Sequence, residues 1–215
     1  MPRQNRVNPF GELIANTSRG TFMGNRGGAL HNDQGELTSR RWTSNRWIIC
    51  LTEFKDVKRQ LMTPGLYTEL FFHDEATALA AGHRPCWECR REDFKRFKHA
   101  WLKGNPEYGF DEDVKIDEID RVLQHERVNS TGEKGMFKAT LGELPDGAMI
   151  VLPHKVDSAG LVWEGRVFPW SFNGYGAPVE FKSTEVVQVL TPSSTVKALR
   201  AGFVPKVSLV VEGID

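Results

Sequence analysis

Short apolar runs between turn-forming residues dominate both ends of the chain. The run over residues 47–51 is aromatic and β-branched, which is typical of a core strand. A turn over 63–65 separates the polar stretch 54–61, predicted as an exposed strand or hairpin, from another strand over 66–72. Residues 1–45 are rich in Gly and Asn, which predicts strands joined by tight turns. Five further runs predict a small barrel or sandwich at the other end: 137–141, 148–152, 160–163, 166–170 and 186–190.

Helical spacing of apolar residues replaces this pattern in the middle of the chain. Asp74 can cap the first predicted helix, and Gly82 can end it in the left-handed conformation. In the second, Phe94, Phe97 and Trp101 fall on one face. The pattern predicts helices over 75–81, 92–102, 117–127 and 194–201.

Composition narrows the class of protein. The 215 residues include 28 Lys and Arg and 28 Asp and Glu, so a protein coated in positive charge for bulk nucleic-acid or membrane binding is disfavoured. Three cysteines are an odd number, unlike the even set of a disulfide framework. No apolar run approaches the ~18 residues of a membrane-spanning helix, and no apolar stretch typical of a signal peptide follows Met1. We therefore expect a protein of the reducing cytoplasm that does not enter the membrane.

Cys86 and Cys89 form a Cys-x-x-Cys pair, whose spacing lets two thiolates on one tight turn reach a single tetrahedral zinc ion. A redox pair is the alternative, but no thioredoxin-like strand precedes the motif. Pro85 directly before the pair and an arginine-rich helix directly after it favour a zinc knuckle.

Residues 72–89, which read Phe-His-Asp-Glu-Ala-Thr-Ala-Leu-Ala-Ala-Gly-His-Arg-Pro-Cys-Trp-Glu-Cys, resemble the zinc-binding hairpin of the Ada DNA-repair family. In that family two further cysteines come from an upstream strand pair, and Cys50 stands at a suitable separation to be one of them. The resemblance thus implies zinc, bound in part by Cys50. The partner cysteine is missing, since neither Arg46 nor Phe54 can ligate zinc. For that reason the family's methyl-transfer activity is not carried over.

A histidine would complete a Cys3His site. His83 occupies an aromatic position of the Ada hairpin, and we take it as the fourth ligand beside Cys50, Cys86 and Cys89. His31 and His73, which are on neighbouring predicted strands, are alternative fourth ligands. An aspartate or a water molecule is a further alternative.

Basic and aromatic residues coincide around the predicted zinc site. Phosphate groups could bind such cations, and Trp42, Trp47 and Trp87 could stack on bases. A solvated helix face balanced by acidic residues is the alternative explanation. The predicted nucleic-acid contacts are Arg40, Arg41, Arg84, Arg90, Arg91 and Lys95.

Tyr67 and Glu69 stand two apart on a predicted strand and so share one face. If that face lines a cleft, the two side chains could act together; a half-exposed strand explains them equally well.

Together these features predict an α+β protein. A β-hairpin and zinc-knuckle unit with two to three helices occupies residues 1–128, and a small β-rich part occupies 136–215, unless the two form one continuous domain. The leading function is a zinc-binding protein that binds or acts on nucleic acid or nucleotide components, with DNA or RNA as partner. The alternative is an enzyme on a small molecule, with purely structural zinc and a cleft between the two parts.

Overall fold

The computed structural model describes residues 2–55, 60–153 and 155–209. Over these residues the chain forms two six-stranded sheets and four helices, which confirms the predicted α+β class. Part of the strand or hairpin predicted over 54–61 lies outside the described residues. None of the helices in the described ranges is long and apolar enough to cross a membrane.

The strands of the first sheet are β1 (Gln4–Val7), β2 (Leu13–Ala15), β3 (Phe22–Asn25), β4 (Ile48–Leu51), β5 (Leu70–Phe72) and β6 (Arg84–Pro85). The sheet is mixed and has the order β2-β1-β5-β3-β4-β6. Strand β1 runs parallel to β5, and β4 runs parallel to β6, whereas the other neighbours are antiparallel.

Strand β5 begins four residues later than the apolar run predicts. The preceding segment is held instead by Thr68, whose hydroxyl accepts a hydrogen bond of 2.7 Å from the backbone N–H of Leu30. The backbone N–H of Thr68 also donates to the carbonyl oxygen of Gly28. These bonds tie the segment to the loop after β3 and keep it out of the ladder.

The two faces of this sheet have different surroundings. Successive side chains of a strand point to opposite faces, so Ile49 and Phe72 enter the hydrophobic core that also contains residues of the helices. Met23 at the centre of the sheet pairs with Cys50 on one side and with Phe71 on the other. These three side chains therefore share the face that looks away from the helices.

The helices are α1 (Glu75–Ala80), α2 (Arg91–Gly104), α3 (Ile116–Arg127) and α4 (Ser193–Arg200). Asp74 caps α1 as predicted and accepts a hydrogen bond of 2.9 Å from the backbone N–H of Thr77. Gly82 follows α1 with φ of +90°, also as predicted, and a Cβ there would lie 2.6 Å from the side chain of Arg127.

Helix α2 confirms the predicted apolar face, because Phe94, Phe97 and Trp101 are all buried. The helix extends two residues further than predicted, to Gly104. A Cβ at Gly104 would lie 2.5 Å from the carbonyl oxygen of Lys197, so the missing side chain lets α2 approach the backbone of α4.

The strands of the second sheet are β7 (Phe137–Thr140), β8 (Met149–Leu152), β9 (Lys155–Trp163), β10 (Arg166–Ser171), β11 (Gly174–Tyr175) and β12 (Val186–Val189). The sheet is antiparallel and has the order β11-β10-β9-β8-β12-β7. Within the described residues its edge strands β11 and β7 do not pair with each other, so the sheet is open and the barrel alternative is wrong.

One hydrophobic cluster draws residues from both sheets, including Val7 and Phe72 of the first and Val187 of the second. A polar contact links the same parts, since the Tyr175 hydroxyl donates a hydrogen bond of 2.8 Å to the Asp74 carboxylate. The domain boundary between residues 128 and 136 stays a prediction.

Candidate metal centre and adjoining pocket

Three cysteines meet where β4, β6 and the start of α2 come together. Parallel pairing places Ile49 opposite Pro85, so the next residues along the two strands, Cys50 and Cys86, become neighbours. The backbone N–H of Cys86 donates a hydrogen bond of 2.9 Å to the carbonyl oxygen of Ile49 and fixes this alignment. Cys89 lies three residues further, and all three Sγ atoms are within 4.8 Å of one another. We call this group the cysteine triad.

The three thiols of the triad differ in pKa. Hydrogen bonds from the thiols of Cys50 and Cys89 hold the pKa of Cys86 far below its ordinary value, and backbone N–H groups assist. One of these donors is the N–H of Glu88, 3.4 Å from Cys86 Sγ. The hydrogen bonds to Cys86 and Cys89 raise the pKa of Cys50, and burial raises it further. Because the thiolate is the form that ligates a metal, metal binding to the triad would release thiol protons.

The donor set fits a soft divalent metal such as zinc. Zinc–thiolate bonds of ~2.3 Å place tetrahedral ligands about 3.8 Å apart, which the spacing of the triad accommodates. Among the described residues, no fourth His, Cys, Asp or Glu atom joins the three sulfurs within 4.8 Å. The described residues therefore provide three ligands in this arrangement.

His83, predicted as the fourth ligand, lies outside the triad in a buried aromatic environment. Its ring is 5.1 Å from that of Trp47 and 4.7 Å from that of Phe72, and its Nε2 accepts a hydrogen bond of 3.3 Å from Arg26. Burial, followed by the charges of Arg26 and Arg127, holds the pKa of His83 well below its ordinary value. The imidazole of His83 is accordingly a core group that does not join the three sulfurs, and the ligand assignment is corrected.

The alternative histidines are also engaged elsewhere. His31 is buried, with Nδ1 2.6 Å from the Thr68 hydroxyl and Nε2 3.3 Å from the carbonyl oxygen of Thr63. His73 packs edge-on against Tyr175 at 5.4 Å. Neither histidine joins the triad.

Arg84 and Arg90, predicted as nucleic-acid contacts, are buried inside the fold. Arg84 donates hydrogen bonds of 2.8 and 2.7 Å to the two carboxylate oxygens of Asp120. The guanidinium of Arg90 is 2.7 Å from Glu75 and 2.7 Å from Asp93. Both cations are neutralised by buried or half-buried carboxylates and cannot reach a phosphate, so these two assignments are corrected.

The other predicted contacts are on the surface. Arg40, Arg41, Arg91 and Lys95 are exposed. The Arg91 guanidinium stacks 4.6 Å from the ring of Trp87, which is 50% exposed, whereas Lys95 pairs with Glu92 at 2.9 Å. Of the tryptophans proposed to stack on bases, Trp47 is buried, with the Arg26 guanidinium 3.9 Å from its ring. Fewer of the predicted nucleic-acid contacts therefore lie on the surface than the sequence suggests.

A cavity of about 360 Å³ adjoins the triad, on the sheet face that carries Met23, Cys50 and Phe71. All three cysteines belong to its wall. Residues 52–55 after β4 and residues 61–69 before β5 contribute further to it, so its described wall combines apolar surface with a few polar groups, as small-molecule sites do. Its other lining residues are Asn25, Ile48, Leu51, Thr52, Phe54, Lys55, Leu61, Tyr67, Glu69 and Glu88.

Tyr67 and Glu69 lie before β5 and not on it, so they do not share a strand face, yet both line this cavity. Glu69 is only 2% exposed, and its Oε2 accepts a hydrogen bond of 2.8 Å from the backbone N–H of Met62. Met23 and Asn25, which form part of the cavity on the central strand, were missed at the sequence level; the alternation along β3 was the signal that could have found them.

Fold and site define an α+β protein with a cluster of three cysteines, of a spacing able to hold a metal ion, beside a pocket. Comparisons with protein-family models, curated proteins and solved structures found no match to this chain.

Proposed function

We propose that the cysteine triad binds zinc with its fourth coordination position open to the pocket, and that the protein acts on a small molecule bound there. The observation that carries the proposal is the position of the three sulfurs on the wall of a 360 Å³ cavity. The resemblance of residues 72–89 to the Ada hairpin and the Cys-x-x-Cys spacing support zinc as the metal.

The number of protein ligands separates the two kinds of zinc site. Structural sites are closed by four protein ligands, whereas catalytic sites have three and keep one position for water or substrate. Zinc in such a position can polarise a carbonyl group or activate a bound water molecule. A site with three cysteines facing a pocket belongs to the second kind. The three reduced cysteines also suit a cytoplasmic location.

Cobalt substitution tests this proposal directly, because Co²⁺ has visible absorption bands that report its ligands and geometry. We expect about one metal ion per chain, tetrahedral bands with thiolate charge transfer, and a spectral shift when a small exogenous thiol is added. Cys50→Ser should lose the metal, whereas Ile48→Val, a conservative change on the same strand face, should retain it. Bands that no added ligand perturbs would mean a closed structural site and would contradict the proposal.

Nucleic-acid binding is the second candidate. Trp87, which lies on the turn between Cys86 and Cys89, is half-exposed, and Arg91 stacks on its ring. This pair favours the stacking of a base. Binding of short single-stranded DNA and RNA should then weaken steeply with salt and be reduced by Trp87→Ala and Arg91→Ala. Lys103→Ala, at the other end of the same helix, is the control. Absence of binding at low salt would remove this candidate.

A further inference from the structure

We propose that Glu69 binds a positively charged amino, amidine or guanidine group of the small molecule whose other end reaches the metal. The inference rests on the proposed function and adds the chemical class of the ligand. Three properties of the pocket support it: the isolation of Glu69, the charge of the walls and the distance between Glu69 and the triad.

Within residues 2–55, 60–153 and 155–209, no cation pairs with the buried carboxylate of Glu69. Carboxylates are almost never fully buried unless they are paired, because removal from water disfavours the charge strongly. Among the residues that the structure describes, its side chain has one hydrogen bond, from the backbone N–H of Met62, and no Lys or Arg forms an ion pair with it. By contrast, buried Asp120 and Glu75 each have an arginine. A ligand cation would supply the missing partner.

The charge of the walls points the same way. Zinc with three thiolates has a net charge of about −1, which adds to the charge of Glu69. The remaining charged residues of the wall, Lys55 and Glu88, are exposed and pair with each other at 3.3 Å. With zinc bound, the described part of the cavity wall therefore has a net negative charge. Phosphate and carboxylate ligands are disfavoured there, and a cationic ligand is favoured.

The register of the sheet sets the length of the ligand. Cys50 and Phe71 lie on either side of Met23, and Glu69, which directly precedes β5 and lines the same cavity, is two residues before Phe71. Strand spacings of about 4.8 Å and rises of about 3.3 Å per residue place the Cα atoms of Cys50 and Glu69 roughly 12 Å apart. Cys50 of the triad and Glu69 thus lie well apart on the cavity wall. Between them, Met23 and Ile48 provide an apolar floor.

The test uses thiols that differ only at the end remote from the metal. The cobalt-loaded full-length chain is titrated with ω-amino-, ω-hydroxy- and ω-carboxy-alkanethiols of two to six carbons, and the charge-transfer band reports binding. In the wild type we expect one chain length of aminothiol to bind about 10-fold or more tightly than its hydroxyl analogue, with the carboxylate weakest. Glu69→Gln, which keeps the acceptor for Met62, should abolish this preference. The control Glu92→Gln, an exposed residue of α2 that does not line the cavity, should retain it.

The outcomes are distinct. Equal affinities of all three thiols for the wild type would overturn the ligand class while leaving the open metal position intact, as would a preference unchanged in Glu69→Gln. Bands that no thiol perturbs would overturn the proposed function and this inference with it. The comparison within the wild type decides the question even if Glu69→Gln does not fold.

Discussion

The buried ion pair between Arg84 and Asp120 provides the sharpest stability prediction. It joins β6 to α3 through two hydrogen bonds, and the two side chains are 4% and 1% exposed. Asp120→Asn keeps the shape of the side chain but removes its charge. The guanidinium of Arg84 then stays in the interior without a counterion, where water cannot replace the lost partner.

The expected magnitude follows from that burial. Breaking one partner of a buried pair costs about 3–5 kcal/mol of unfolding free energy. The chain contains a matched exposed pair: Arg46 and Asp117 also make two hydrogen bonds, each of 2.9 Å, but their side chains are 66% and 43% exposed. Asp117 lies one turn earlier on the same helix, and Asp117→Asn should cost about 0.2–1 kcal/mol.

Urea unfolding of the metal-loaded protein, followed by far-UV circular dichroism, measures both costs. The double variant Arg84→Met with Asp120→Leu should recover most of the lost stability, because two apolar side chains of similar size leave no buried charge. Similar costs for Asp120→Asn and Asp117→Asn would refute the reasoning. So would a double variant as unstable as the single one.

Three further variants test separate parts of the fold. Burial and two neighbouring arginines lower the pKa of Lys134 to about 7. Above that pH the unfolded chain binds more protons than the folded one, so the free energy of unfolding should rise between about pH 7 and 10. Lys134→Met should flatten this rise in urea titrations. A Cβ at Gly24 would lie 2.1 Å from the carbonyl oxygen of Ile48, so Gly24→Ala should separate β3 from β4 and reduce the metal content measured by mass spectrometry. Tyr175→Phe removes the hydrogen bond to buried Asp74 and should cost about 1–3 kcal/mol in the same urea assay, whereas no loss would assign that bond no role.

The helices were predictable because their signals are local. Phe94, Phe97 and Trp101 repeat within one helix, and the cap at Asp74 and the glycine at position 82 lie within one turn of the ends they define. Strand boundaries were less predictable, since a strand ends where its partner ends. The late start of β5 depends on contacts with a loop some 40 residues away, which no local pattern encodes.

The same distinction applies to the site. The spacing of Cys86 and Cys89 predicts that they bind a metal ion together, and Cys50 was added to them through the resemblance to the Ada hairpin. The roles of Arg84 and His83 were missed because both depend on distant partners. Asp120 is 36 residues beyond Arg84, and Arg26 is 57 residues before His83. A dense run of basic residues indicates a charged surface only if no carboxylate elsewhere in the chain folds against it.

The two faces of the first sheet account for a cysteine triad beside a cavity. The face that carries Ile49 and Phe72 is filled by helices and leaves no room for a ligand. On the opposite face, the wall above Cys50 and Met23 comes from the loop after β4 and the segment before β5, which includes Tyr67. Rigid strands thus hold the cysteines, while connecting segments shape the space next to them, as is common in binding sites. Changes in the strands should therefore alter metal affinity, whereas changes in the connecting segments should alter which ligand the metal receives.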